Sequence, residues 1–224
     1  MIRRLWFALV RWGFHLLYNQ FAWTYDAVSW LVSLGNWRRW QRAVIPHLQG
    51  ERVLDLACGT GNLLIDLAEA GYRPCGLDLS PYMVRITRRK LRRRGLGVPL
   101  CRGRAQALPF AGGVFDAVVA TFPAGFILHP ATLREVTRVL RPGGRAVVVA
   151  EARLERRGPL SRFIEWLYTI TGQRGPWPDV DDLLGEASLV RVVEESREGR
   201  SLVRVIVAAK KRRAMMYTDC TDEL

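Results

Sequence analysis

From Arg52 to Ala209 the chain alternates short, nearly continuous apolar runs with stretches in which apolar residues recur every three or four positions. Continuous runs suit strands buried on both faces, and the longer spacing suits helices packed along one side. Alternation of the two is the pattern of βαβ units around a parallel sheet. Strands are expected at Val53–Ala57, Pro74–Leu79, Val98–Cys101, Phe115–Thr121 and Arg145–Ala150, with helices at Asn62–Ala70, Pro81–Arg94 and Ala131–Leu140 between them. In the last helix Leu133, Val136 and Leu140 share a face, and Pro142-Gly143-Gly144 stops it. Two further strands near Leu189–Glu195 and Ser201–Ala209 complete the sheet. The fold class expected is α/β, a seven-stranded, mostly parallel sheet with helices on both faces.

Upstream the pattern changes. Arg4, Arg11 and His15 fall on one side of a helix, at spacings of seven and four, and leave Leu5, Leu9, Trp12 and Leu16 as a broad apolar surface. Six of the eight tryptophans lie in residues 1–48, together with Arg3, Arg4, Arg11, Arg38, Arg39 and Arg42, and Asp26 is the one acid there. Three parts follow: 1–48 as an aromatic, amphipathic helical extension, 49–209 as the sheet domain, and 210–224 as a disordered tail, basic and then acidic.

Composition narrows the picture. The formal net charge of +13, from 34 Lys and Arg against 21 Asp and Glu, predicts attraction to polyanions: nucleic acid, anionic lipid headgroups or an acidic protein. No stretch reaches the roughly 18 uncharged residues that a spanning helix needs; the N-terminal candidate, from Trp12, is ended by Asp26. Met1–Gln20 starts basic and runs apolar, yet lacks a small-residue cleavage site, which argues against a secretory leader. The final TDEL resembles a retention signal only superficially. Cys58, Cys75, Cys101 and Cys220 form no C-x-x-C pair, so neither a metal site nor a disulfide framework is expected, and the chain reads as a cytoplasmic protein.

The candidate chemistry sits where the first strand meets its helix. VLDLACGTGN places Gly59 and Gly61 at the carboxyl end of a buried strand, where open α/β sheets bind ligands and where glycines let backbone approach them closely. The third glycine of a dinucleotide fingerprint is replaced by Leu64, too large for the close helix–strand packing which that fingerprint needs. Asp55, just before the loop, repels pyrophosphate and suits a ligand carrying an ammonium and a sulfonium. Asp78 ends the second strand in GLDLS and is placed to accept both ribose hydroxyls of an adenosine. Capping and turn roles are the plainer readings of either acid alone; their spacing favours a shared site in a Rossmann-like domain.

VLDLACGTG, GLDLSPYM, the ALPF block at Ala107–Phe110, FDAVVAT and LREVTRVLRPGG together resemble class I S-adenosylmethionine-dependent methyltransferases. The likeness is greatest to the group of ubiquinone and menaquinone C-methyltransferases and phospholipid N-methyltransferases. It reaches upstream through FAWTYDAVSWLVSLGNWRRW. The resemblance implies S-adenosyl-L-methionine as cofactor, with Asp55, Ala57, Cys58, Gly59 and Gly61 along its methionine portion. By the same likeness Asp78 and Leu79 hold the ribose, Met83 and Ala105 flank the adenine, Thr121 lies beside the methyl group and Tyr25 closes over the cofactor. Three positions depart from the pattern: Ala57 stands at the motif's first glycine, Arg104 at the usual acid before Ala105, and Phe122-Pro123-Ala124-Gly125 where quinone C-methyltransferases carry an Arg-Asn pair. The last departure points away from a quinone.

Transfer from a sulfonium to a free amine or phenolate needs mainly positioning; a carbon or protonated amine also needs a base, for which Tyr25, Asp26 and His129 are the candidates. His129 precedes Pro130 at an expected helix start, where a turn residue is the plainer role. The Asn/Asp-Pro-Pro-aromatic grip of nucleobase amino-methyltransferases is Thr121-Phe122-Pro123-Ala124 here, so nucleic acid is a poor partner, although an RNA-directed enzyme is the alternative that the charge allows. Arg85 to Arg94 carries seven cations and no acid above a buried face of Val84, Thr87 and Leu91. With the tryptophan-rich extension, it points to a peripheral enzyme on the inner face of an anionic membrane, acting on a small-molecule or lipid acceptor such as a phospholipid amine or isoprenoid quinone precursor.

Overall fold

In the computed structural model, residues 2–123, 125–154, 158–172, 181–198 and 201–210 are described, with backbone alone for 2, 3 and 192–198. β1 (Arg52–Leu56), β2 (Arg73–Asp78), β3 (Leu100–Arg102), β4 (Phe115–Thr121), β5 (Leu140–Leu154), β6 (Leu189–Glu198) and β7 (Ser201–Lys210) form one sheet in the order β3-β2-β1-β4-β5-β7-β6. The first five strands pair in parallel, and β7 runs antiparallel between β5 and β6. Parallel neighbours require crossovers, which are supplied by α4 (Asn62–Glu69), α5 (Pro81–Arg93) and α6 (Pro130–Val139). β1 lies between β2 and β4, so the strand order reverses there and a crevice opens at the carboxyl ends of β1 and β4.

Side chains alternate across a strand, and this alternation divides the core in two. Leu54, Leu56, Val118, Ala120 and Ala146 pack with Leu133 and Val136 of α6 and with Leu184 of α8 (Asp181–Glu186). Val53, Ala117, Val119, Val147 and Val205 pack on the other face with Leu63 and Leu67 of α4 and Ile164 of α7 (Pro159–Ile170). The second face also takes Trp40 of α3 (Trp37–Arg42), together with Ala43 and Val44, all buried. Of the N-terminal helices, α1 (Ile2–Tyr18), α2 (Tyr25–Val32) and α3, the last therefore shares the sheet's own core. Arg38 fastens it further, gripping Asp66 through Nη2 at 2.8 Å and Nε at 3.0 Å.

The first four strands fall within two residues of expectation. β5 is longer than Arg145–Ala150 because Leu140 pairs with Phe115 and because antiparallel β7 carries the ladder on to Leu154 opposite Ser201. Leu140 thus belongs to a strand, and α6 ends one residue before it. Lys210, expected to open a disordered tail, instead ends β7, with Nζ donating to the carbonyls of Thr137 and Leu140, both at 2.6 Å. The rest of that tail, with Cys220, lies outside the described residues.

Candidate cofactor and acceptor site

β1 presents Asp55 and ends at Leu56; the chain then turns through Ala57–Gly61 into α4. Ala57, Gly59 and Gly61 are all left-handed, with φ of 62°, 56° and 77°. Cys58 N–H donates to the Leu77 carbonyl at 3.1 Å, and Gly61 N–H to the Cys58 carbonyl at 3.0 Å, so the loop is fixed to β2 and to itself. The two glycines serve different ends. A Cβ at Gly59 would meet nothing within 4 Å, so open space faces this residue. A Cβ at Gly61 would lie 2.5 Å from Thr87 Cγ2, and the Thr87 hydroxyl donates to the Gly59 carbonyl at 2.7 Å. Gly61 thus lets α5 pack on the loop, while Gly59 leaves room for a ligand.

Two carboxylates flank that room. Asp78 accepts from Gly59 N–H through Oδ2 and from Ser80 N–H through Oδ1, each at 2.8 Å. Burial pushes its carboxyl up, opposed by the N–H groups of Ser80, Gly59 and Leu79. Asp55 is 1% exposed, and its Oδ2 has no partner. Burial and the charge of Asp78 push its carboxyl up to about 8. A buried carboxylate oxygen without a donor is costly in the protein alone. A ligand bearing an ammonium and a sulfonium satisfies it, whereas a phosphate would meet two acids; the residues present fit S-adenosylmethionine. Burial, Asp55 and Asp78 keep the Cys58 thiol well above its ordinary value, hence un-ionised. Met83 and Ala105 are buried and Leu79 is exposed. Thr121 ends β4 at the same sheet edge, two residues past Val119, which is in register with Asp55; its hydroxyl accepts from Gln41 Nε2 at 3.3 Å.

The N-terminal helices cover this edge. The Ser80 hydroxyl donates to the Tyr18 carbonyl at 2.7 Å. Asp26 Oδ1 accepts from the Thr60 hydroxyl at 2.6 Å and from Asn62 Nδ2 at 3.1 Å, and its Oδ2 accepts from Lys90 Nζ. Lys90 also reaches Asn62 Oδ1 at 2.9 Å. Burial alone would raise the Asp26 carboxyl, but hydrogen bonds from Lys90 and Thr60 outweigh it and hold the group below the usual carboxylate range. In the sequence Lys90 is one of seven surface cations; the signal for its role is that the extension has one acid, which the fold must pair.

Beside the loop lies a cavity of about 210 Å³ between α1, α2, α7 and the end of β4. Phe122 follows Thr121 with φ of 50°, and its ring stacks on Trp37 with centroids 4.4 Å apart. Tyr25 stands 5.6 Å from Tyr18 and 6.3 Å from Trp37, ring to ring. Burial, then Tyr18, push the Tyr25 hydroxyl well above its ordinary value, so it is a neutral donor rather than a base. The structure does not bring His129 to this chamber. It is exposed and caps α6, with Nδ1 accepting from Ala131 N–H at 3.2 Å. Trp37 and Tyr168 of the chamber escaped the sequence reading, and Phe122 entered it only as a departure from the family pattern.

Residues 53–144 match the methyltransferase domain family. A demethylmenaquinone methyltransferase from Thermus thermophilus is 40% identical over 139 residues, 59% of this chain and 63% of that protein. One from Symbiobacterium thermophilum is 35% identical over 159 residues, 67% and 61% respectively. The chain thus spans about three fifths of these curated relatives. Among solved structures, a geranyl diphosphate methyltransferase in complex with geranyl diphosphate and sinefungin matches with a TM-score of 0.59 at 18% identity, over 79% of this chain and 84% of that one. A possible histamine N-methyltransferase from Thermotoga maritima matches with a TM-score of 0.58 at 22% identity, over 88% and 99%. Strand order, glycine loop, paired strand-end acids and sequence likeness agree: residues 53–144 match the methyltransferase domain, and the chain resembles the class I S-adenosylmethionine-dependent methyltransferases, the demethylmenaquinone methyltransferases among them.

Proposed function

We propose that the protein methylates a small lipophilic acceptor of quinol type, with S-adenosylmethionine as donor. The observation that carries the acceptor class is the aromatic chamber at the cofactor's edge: Trp37 and Phe122 already stack at 4.4 Å there, the geometry in which flat rings associate. The demethylmenaquinone-methylating relatives support the same class, against the expectation drawn from Phe122-Pro123-Ala124-Gly125. Asp55, Ala57, Cys58, Gly59 and Gly61 hold the methionine part, Asp78 and Leu79 the ribose, Met83 and Ala105 the base, and Thr121 borders the methyl group. When bound, the cofactor supplies an electrophilic methyl group on a sulfonium. Asp55 holds its cationic end, and Tyr25, a neutral phenol, donates to an acceptor oxygen and orients the ring. Asp26, engaged with Lys90, is a poor base, so the chain positions an acceptor that arrives ionised; its ring carbon takes the methyl group as the sulfonium carbon–sulfur bond breaks, and then releases its proton to solvent, which restores the aromatic ring. Positioning alone supplies several kcal/mol, on the order of 7–11 for well-oriented partners. Net charge of +13, and the absence of any described helix long and apolar enough to cross a membrane, support peripheral attachment to the inner face of an anionic membrane.

Incubation with methyl-labelled cofactor and a total lipid extract, with and without added demethylmenaquinol, tests this. Labelled quinol identified by mass spectrometry is the expected product. Label confined to phospholipid amines or to added RNA would overturn the acceptor class.

A further inference from the structure

α1 is apolar on two sides. Phe14, Leu17 and Tyr18 face the chamber, whereas Leu5, Leu9 and Trp12, at i, i+4 and i+7, point away and are each more than half exposed. A helix that is apolar around most of its circumference is ordinarily buried; protein covers one face of this one. The other chamber walls repeat the arrangement. α7 turns Ile164, Leu167 and Tyr168 inward, and Leu160, Phe163 and Trp166 outward, more than half exposed. α2 lines the chamber with Tyr25, Val28 and Val32 and leaves Trp30 and Leu31 in solvent.

The helices that carry these outer faces are neighbours tied to one another. Trp6 Nε1 donates to the Ile170 carbonyl at 2.7 Å, joining α1 to α7, and the Tyr168 hydroxyl donates to the Val32 carbonyl at 3.3 Å, joining α7 to α2. Single exposed apolar residues are normal on any protein, but this many large ones on three adjoining helices mark a docking surface. Its charge selects the partner. Arg4 and Arg11 edge α1, and Arg162 sits among the exposed rings of α7. α5, with Arg85, Arg88, Arg89, Arg92 and Arg93 exposed, packs on the Ala22–Thr24 turn beside Phe21 and Trp23. The acid among the described residues of the extension, Asp26, is spent on Lys90. A second copy of the chain would set these arginines against one another, whereas an anionic bilayer takes both the rings and the cations. Seventeen residues with two arginines at its start and one in the middle suit α1 to lying in the interface plane.

We infer that the outer faces of α1, α2 and α7 seat in the headgroup region of an anionic bilayer, and that the acceptor passes between these helices from bilayer to chamber without entering water. The delivery route rests on the lipophilic-acceptor reading; the docking surface does not. The test compares the parent with the double variant Leu9→Glu/Trp12→Glu, two side chains that point away from the chamber. Binding is measured on vesicles of phosphatidylcholine with and without phosphatidylglycerol. Methyl transfer is measured with a long-tailed demethylmenaquinol in those vesicles and with a tail-less naphthoquinol in buffer. The parent should bind the anionic vesicles, and the variant should lose about tenfold or more in both vesicle binding and turnover of the long-tailed acceptor. Its turnover of the tail-less acceptor should stay within about twofold of the parent's, which also shows that it is folded. A variant that binds vesicles and methylates the long-tailed acceptor as the parent does would overturn the inference. So would a parent that sediments as a dimer and ignores both vesicles. Vesicle binding lost in the variant, with neither quinol methylated by the parent, would remove the acceptor reading and the delivery route with it, and leave the docking surface standing.

Discussion

Ala57 shows how much one residue of the loop can cost. It holds φ of 62° where the related motif has glycine. Left-handed backbone costs a non-glycine residue roughly 1–2 kcal/mol, and the greater freedom of unfolded glycine offsets about 0.5–1 kcal/mol of any relief. Ala57→Gly should therefore stabilise the fold by about 0.5–1 kcal/mol, a rise of about 1–4 °C in Tm at this chain length. Cofactor affinity should hardly move, because the loop already has the glycine conformation. Scanning calorimetry and titration calorimetry check the two halves; a lower Tm would mean that the Ala57 methyl packs to advantage.

Among the elements, α2 is clipped to the start of α4 and to α5 through Asp26, Thr60, Asn62 and Lys90. Both ionic partners retain some exposure, so screening limits the pair to the lower end of charge-assisted bonds. Asp26→Asn should loosen this cover over the cofactor, speeding release of S-adenosylhomocysteine by about 2–10-fold, on the order of 0.5–1.5 kcal/mol. Stopped-flow release in low and high salt checks it: the parent should approach the variant as salt rises, and identical rates at low salt would sink the idea. Such a clip is hard to read in sequence, because its partners lie 64 residues apart and Lys90 sits in a run of arginines. Strands β1, β2 and β4 were legible, since burial on both faces makes them continuous apolar runs. The start of β5 was not, because Leu140 also completes the helical spacing of Leu133 and Val136. The paired acids could be read from strand-end positions, whereas the chamber could not: its walls are drawn from α1, α2, α7 and Phe122, and only folding brings them together.

For the molecule as a whole, the buried Asp55 ties stability to pH. Its carboxyl rises from 3.8 to about 8 in the folded chain, which keeps a proton that the unfolded chain gives up. That contribution is complete below about pH 4 and lost as pH rises through about 8. The Tm of cofactor-free protein should fall between pH 5 and 8 more steeply in the parent than in Asp55→Asn. The cofactor's cationic end favours the carboxylate, so its binding should release a proton and tighten over the same range. Parallel Tm profiles for parent and variant would rule out this titration. One more feature binds distant parts of the chain into a unit. Because a methyl group at position 61 would collide with Thr87, position 61 cannot take a side chain while Thr87 stands. Loop and α5 thus meet in a one-way fit, and a chimera with a relative that crosses over between residues 61 and 87 must keep glycine at 61 wherever it keeps threonine at 87.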